Sequence, residues 1–203
     1  MKDRKQFRSN PGHDEKLMLK VKEGDLAAFE SIFEAYKGPL GRFFYHLVWD
    51  PSLSEDYIQE VFIRLWKGAS NYEACGKFST YLFQIAKNFW INEHKRLKRG
   101  PKRYSLDMPI GDDGATRSSQ IMSDEATPST MMANAEMKAR IQDALEMLPT
   151  KQRLVFVMSE YQGLKYHEIA DVLEIPLGTV KSRMSGAEKT LRGKLRDSSP
   201  RKG

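Results

Sequence analysis

Apolar side chains recur at intervals of three and four along most of the chain, and two-residue alternation is nowhere sustained, which predicts helices and no sheet. Leu26, Phe29, Ile32, Phe33 and Tyr36 form a first stripe, with Asp25 placed to cap it. Gly38-Pro39 should break or kink that helix, because proline removes a backbone donor and crowds the preceding turn. Leu40, Phe43, Phe44 and Leu47 then resume the stripe. After a turn at Asp50-Pro51, Ser52 and Glu55 fit a capping box. The next helix presents Tyr57, Ile58, Val61, Phe62, Leu65 and Trp66 on one face, and Asp56, Gln59, Glu60, Arg64 and Lys67 on the other. A loop over 71–76 leads to a long helix over about 78–99, with Phe78, Tyr81, Leu82, Ile85 and Phe89 turned inward.

A second helical set opens near 135 with the stripe Ile141, Ala144, Leu145 and Leu148. Pro149 ends that helix, and Thr150 can cap the next, which carries the apolar run 154–158. After a turn at Gln162-Gly163, helices over about 166–173 and 177–195 are separated only by Glu174-Ile175-Pro176, the outline of a helix-turn-helix. Ile169, Ala170 and Leu173 would face inward, Ile175 would plug the turn, and Val180 and Met184 would anchor the second helix. Between the two sets, Gly100-Pro101, Asp112-Asp113-Gly114, Ser118-Ser119 and Thr127-Pro128-Ser129-Thr130 mark a stretch poor in core formers, hence a flexible linker. The expected fold is all-α: two small helical domains, 14–99 and 135–197, joined by a linker over 100–134, with tails over 1–13 and 198–203.

Composition narrows the function classes. The chain has 203 residues with 33 Lys and Arg against 27 Asp and Glu, so it is mildly basic at +6, which permits a polyanionic partner without requiring one. No apolar run approaches the roughly 20 residues of a membrane span, and no apolar signal core follows the basic start. The expected setting is therefore soluble and cytoplasmic. Cys75 is the only cysteine, so no disulfide framework is possible, and no Cys/His spacing suits zinc. No Gly-rich loop is followed by the Lys-Ser/Thr of a phosphate-binding loop, and His13, His46, His94 and His167 sit far apart. No catalytic residue, cofactor or metal is expected. His167-Glu168 is placed on a solvated surface, and Cys75 reads as an incidental loop thiol.

Three surfaces could carry chemistry. The second helix of the helix-turn-helix leaves Thr179, Lys181, Ser182, Arg183, Ser185 and Lys189 outward, and cations with hydroxyls on a helix suit phosphates and base edges in a major groove. A solvated hairpin is the plainer alternative. Lys87, Lys95, Arg96, Lys98 and Arg99 share a helix with Tyr81, Phe83 and Trp90, a mixture that suits unpaired DNA. A basic helix end is equally a dipole-favourable, solvated one, and aromatics pack in cores. The face Asp56, Gln59, Glu60 and Arg64 fits either solvent or a docking protein.

Two stretches carry a resemblance. The segments 148–153, 166–173 and 176–183 (Leu-Pro-Thr-Lys-Gln-Arg, Tyr-His-Glu-Ile-Ala-Asp-Val-Leu and Pro-Leu-Gly-Thr-Val-Lys-Ser-Arg) closely resemble the fourth conserved region of bacterial sigma factors. Segments 59–66 and 78–88 resemble their second region, and the layout is similar to that of the extracytoplasmic-function (ECF) branch of the sigma-70 family. The resemblance implies an alternative sigma factor, monomeric until it joins core RNA polymerase. It implies polymerase docking by Asp56, Gln59, Glu60 and Arg64. Minus-ten recognition and melting would fall to the 71–79 loop and the helix after it, with Asn71, Lys77, Ser79, Asn88, Asn92, Lys95, Arg96 and Arg99 as candidates. The outward residues of the recognition helix would read the minus-thirty-five element, and an anti-sigma factor joins polymerase and promoter DNA among the expected partners. Three positions depart from the family pattern: Asn92 for a frequent Asp, Glu174 for the usual turn glycine, and Gly186 for a frequent Arg. The glycine is expected to remove a phosphate contact and to cost about 1 kcal/mol of helix propensity. A free-standing helix-turn-helix regulator accounts for the second domain alone, and a DNA-cleaving enzyme lacks its nucleophile and metal ligands.

Overall fold

The computed structural model describes residues 10, 12–98 and 128–197. Within these the chain forms α1 (His13–Lys22), α2 (Leu26–Val48), α3 (Pro51–Gly68), a 3-10 turn (Ala69–Asn71), α4 (Phe78–Lys98), α5 (Pro128–Glu146), α6 (Thr150–Glu160), α7 (Tyr166–Leu173) and α8 (Leu177–Asp197). Most of the expected linker and of the expected N-terminal tail, all of the C-terminal tail and Arg99 lie outside the described residues, and His13, expected in the tail, opens α1.

Helices α1–α4 close round a core in which Ile32, Leu40, Phe43, Phe44, Val61, Leu65, Phe78, Leu82 and Phe83 are fully buried. Burying one such side chain contributes about 1.5–3 kcal/mol, so this cluster is the main stabilising term of the first module. Asp25 caps α2 as the sequence predicts, its carboxylate accepting from the Ala28 amide at 3.0 Å. Gly38-Pro39 does not break the helix, which runs through Pro39 without interruption. The flanking Leu40 and Phe43 are both fully buried, and their packing outweighs the lost backbone bond. The predicted capping box at Ser52 is also replaced. Pro51 occupies the first helical position, whose amide needs no partner, so Asp50 becomes the cap and accepts from Leu53 at 3.1 Å.

Helix α1 is an element beyond those the apolar stripes predict. Its buried Asp14 accepts a 2.7 Å bond from the Tyr36 hydroxyl, and its Glu15 accepts from the Phe78 amide at 2.8 Å. Burial, then Asp14, raises the Tyr36 pKa above its ordinary value.

The second module folds as predicted from α6 onward, with Ile169, Val172, Val180 and Met184 buried and Ile175 half-buried in the turn. Pro149, rather than Thr150, stands at the cap of α6. Thr150 is its first helical residue, and its Oγ1 lies 3.3 Å from His94 Nε2 of α4. Helix α5 starts at Pro128, inside the stretch expected to be linker, where proline suits a first helical turn. It packs on α8 through Ala144, Leu145, Leu148, Ala187 and Leu191.

The two modules are in contact. Helix α7 lies against α4, and α6 lies against α2. The buried carboxamide of Gln162, in the amide orientation that matches its neighbours, donates to the Pro39 carbonyl at 3.1 Å and accepts from the Phe43 amide at 3.0 Å, joining groups one turn apart on α2. His46 stacks on Tyr161 with ring centroids 3.5 Å apart.

Candidate DNA and polymerase interfaces

The recognition helix is positioned by a tight turn. The Ile175 amide returns to the Ala170 carbonyl at 3.1 Å, and Thr179 donates to the Pro176 carbonyl at 2.8 Å, which starts α8 directly after the proline. Val180, Met184 and Ala187 are buried, so α8 has one determined inner face. Lys181, Ser182, Ser185 and Lys189 are exposed on the other side, and Thr179 and Arg183 are half-buried beside them. Arg192, which the sequence reading passed over, is exposed on the same helix, at a heptad-like spacing from Ser185 that could have revealed it. Gly186 faces α6: a Cβ there would stand 2.8 Å from Gln152 Nε2, so glycine permits the close approach of the two helices.

On α4, Asn88, Asn92, Lys95 and Arg96 are exposed, with Arg96 paired to Glu93 at 2.8 Å. Asn71 ends the 3-10 turn and is exposed, whereas Ser79 is buried in the first turn of α4. Phe83 and Trp90 are core residues, and Trp90 stacks on His94 with centroids 4.9 Å apart, so neither is offered to a base. Tyr81 is half-buried and lies 5.1 Å from Tyr72. With Tyr72, Cys75, Lys77, Thr80 and Gln84 it lines a cleft of about 450 Å³ whose opposite wall is α7. Glu168 belongs to that wall and is not simply solvated: it accepts from Lys77 at 2.7 Å and from the Lys165 amide at 2.9 Å. Burial pushes its carboxyl up, but these two bonds outweigh it and hold the pKa below the ordinary carboxylate value.

On α3, Asp56, Gln59 and Arg64 are exposed and Glu60 is half-buried, all on one face. Arg64 donates to Glu60 at 2.8 Å, and its guanidinium lies 4.6 Å from the centre of the Phe89 ring. Beside Gln59 runs an apolar groove of about 400 Å³ between α2 and α3, lined by Phe29, Phe33, Phe62, Ile63 and Trp66. Trp66, expected in the core, is 38% exposed here and Ile63 45%. An aromatic and aliphatic patch rimmed by polar groups has the make-up of a protein-docking surface.

A helix-turn-helix with an exposed polar and basic face, a basic helix beside a loop, and a separate apolar patch together have the make-up of a helical DNA-binding protein that works in company with another protein. Residues 32–100 match the family described as sigma-70 region 2, and residues 138–191 match sigma-70, region 4. The chain is 35% identical over 183 residues to the ECF RNA polymerase sigma factor SigW of Bacillus subtilis, covering 90% of this chain and 96% of that one. It is 28% identical to the RNA polymerase sigma-H factor of Pseudomonas aeruginosa, covering 88% of this chain and 91% of that one. Its fold is similar to that of CnrH, solved in complex with the cytosolic domain of CnrY, with a TM-score of 0.67, 20% identity, and coverage of 92% and 99% of the two chains.

The chain belongs to the ECF branch of the sigma-70 family of RNA polymerase sigma factors. It is an alternative sigma factor, which binds core RNA polymerase, recognises minus-ten and minus-thirty-five elements and initiates transcription of a specific regulon.

Proposed function

We propose that these tasks are divided among three helices. Helix α3 docks on core polymerase through Asp56, Gln59, Glu60 and Arg64, with Ile63 and Trp66 supplying the apolar part of the contact. Helix α4 and the loop before it act on the minus-ten element: Asn88, Asn92, Lys95, Arg96 and Arg99 follow the non-template strand, and Asn71 and Lys77 flank a pocket for one extruded base. Tyr81, half-buried, gives that pocket an aromatic wall that a flipped base stacks on, with the buried Tyr72 ring packed behind it. Helix α8 reads the minus-thirty-five element through Thr179, Lys181, Ser182, Arg183, Ser185 and Lys189. Ser79, buried, packs the base of α4 instead of touching DNA.

The observation that carries this reading is the exposed Ile63–Trp66 groove bordering the Gln59 face of α3, because a regulator acting alone on duplex DNA has no use for it. The protein supplies binding and melting and no chemistry; nucleotide addition stays with the polymerase. It works in the cytoplasm as one polymerase subunit, and an anti-sigma protein is its expected regulator, as in the solved complex of the sigma factor RpoE with the anti-sigma factor NepR of Bartonella quintana.

Mixing the purified chain with sigma-free core RNA polymerase, followed by run-off transcription on genomic fragments, tests the reading directly. Tight binding with new, discrete start sites is the expected result. A well-folded chain that does not bind core polymerase would sink it.

A further inference from the structure

Helix α8 meets solvent with a polar surface that one residue interrupts. Leu177, its first residue, is 42% exposed, and among the described residues of α8 it is the one large apolar side chain left open. The turn before it fixes where it stands. Glu174 closes α7 in the left-handed conformation at φ 55°, and its carboxylate accepts from Lys87 of α4 at 3.0 Å. The amides of Thr179 and Val180 both donate to the Pro176 carbonyl, at 2.8 and 3.3 Å, so the helix winds regularly from Leu177 onward. Gly178 comes next, exposed, with nothing within 4 Å of the place a Cβ would take, so the space beside Leu177 is open. Lys181 lies one turn further along the same row, and Ser182 and Ser185 continue the exposed arc. Single exposed leucines are ordinary on a protein surface, but this one stands at the end of the helix that reaches the bases of a groove.

The base-reading chemistry of α8 is one-sided. Its lysines and arginines suit guanine O6 and N7, whereas adenine N6 and N7 are matched by Asn or Gln, and α8 contains neither. The other feature that marks an A·T pair in the major groove is the thymine 5-methyl group, which takes an apolar partner. We propose that Leu177 is a specificity-determining residue that packs against the 5-methyl group of one thymine in the minus-thirty-five element, so that the leading end of α8 reads an A·T pair through its methyl. The inference rests on the assignment of α8 to that element. Thr179 also carries a methyl, but it is half-buried and lies two residues on, toward the opposite flank of the helix.

The test uses holoenzyme assembled from the full-length chain and core polymerase, and labelled duplexes of a promoter mapped by run-off transcription. Each thymine of the minus-thirty-five element, on either strand, is replaced in turn by deoxyuridine, which lacks only the methyl group, and affinity is read by fluorescence anisotropy. Wild type should bind about fourfold more weakly at one position, the effect of one apolar carbon left unburied. Leu177→Ala, too short to reach, should bind the all-thymine duplex about fourfold more weakly and lose nothing further when that methyl is removed. Leu177→Met, which keeps apolar reach, should retain the discrimination. A wild type indifferent to every deoxyuridine, a methyl effect that persists in Leu177→Ala, or an element without an A·T pair would each overturn the proposal. Lys181→Ala with Arg183→Ala in the same assay keeps the two readings apart. Loss of affinity there upholds α8 as the recognition helix whatever Leu177 does, and unchanged affinity removes α8 from the element and Leu177 with it.

Discussion

Replacing Lys181 and Arg183 together by alanine separates the contribution of cation–phosphate contacts from that of the fold. Lys181 is exposed and Arg183 half-buried on α8, and neither pairs with a carboxylate among the described residues. Their truncation opens no core cavity and puts the best helix former in a helix, so stability should change by no more than about 0.5 kcal/mol. Each phosphate neutralised adds about 0.9 to the slope of log affinity against log salt, so the pair accounts for about 1.8. Between about 50 and about 200 mM salt, a fourfold change, wild-type binding should weaken roughly twelvefold more than that of the variant. The assay is fluorescence anisotropy with a labelled duplex carrying the minus-thirty-five element of a promoter mapped by run-off transcription, titrated across that salt range. The deficit of the variant should be largest at low salt and shrink steadily, while core polymerase affinity stays at the wild-type level. A deficit that is the same at every salt concentration would refute phosphate neutralisation by these two residues. Equal loss of polymerase and DNA binding would remove α8 as the recognition helix.

Charge reversal at Asp56 and Glu60 should lower affinity for core polymerase, measured by competition with a labelled sigma factor, and should leave the circular dichroism melting curve within about 1 kcal/mol of wild type, since the one ion pair lost there is solvent-exposed. Gly186→Ala should be close to neutral in urea denaturation, because the propensity gain of about 1 kcal/mol is offset by the 2.8 Å approach to Gln152; adding Gln152→Ala should let the gain appear, and identical midpoints for single and double variants would contradict this. Burial, reinforced by Arg42 and Lys138, holds His46 down to about 4, so the unfolded chain takes up a proton first as pH falls. Stability should therefore be full above about 6.5 and decline toward pH 4, and His46→Phe should flatten that segment of a urea-midpoint series while keeping a ring against Tyr161.

The elements themselves were legible wherever a wide apolar stripe ran into a turn. The helix-turn-helix is the best case, with helix limits, inner residues and outward residues all readable from spacing. What escaped was decided at a distance. Helix α1 buries only a short stripe, Met18 and Val21, and it is fastened at a distance by Asp14 to Tyr36 and by Glu15 to Phe78. Pro39 carries a strong local signal for a break, which burial of its neighbours overrides. Phe83 and Trp90 could not be told from stacking residues, because a helix packed on more than one side buries more than one stripe. Of the site residues, the exposed polar ones lay where helical periodicity put them. The contact between modules left no local trace, apart from a glutamate where a glycine was expected.

Helix α1 holds the loop before α4 at both ends. Lys22 donates to the Tyr72 carbonyl at 2.9 Å where the loop begins, and Glu15 receives the Phe78 amide at 2.8 Å where it finishes. Such a frame turns the segment over 73–77 into an exchangeable cassette: its length and sequence can drift while both anchor points, and the register of α4 behind them, stay put. Transplanting that segment alone between related chains should carry base preference with it, and a lineage could acquire a new set of promoters by editing a handful of codons without disturbing either the polymerase contact or the core.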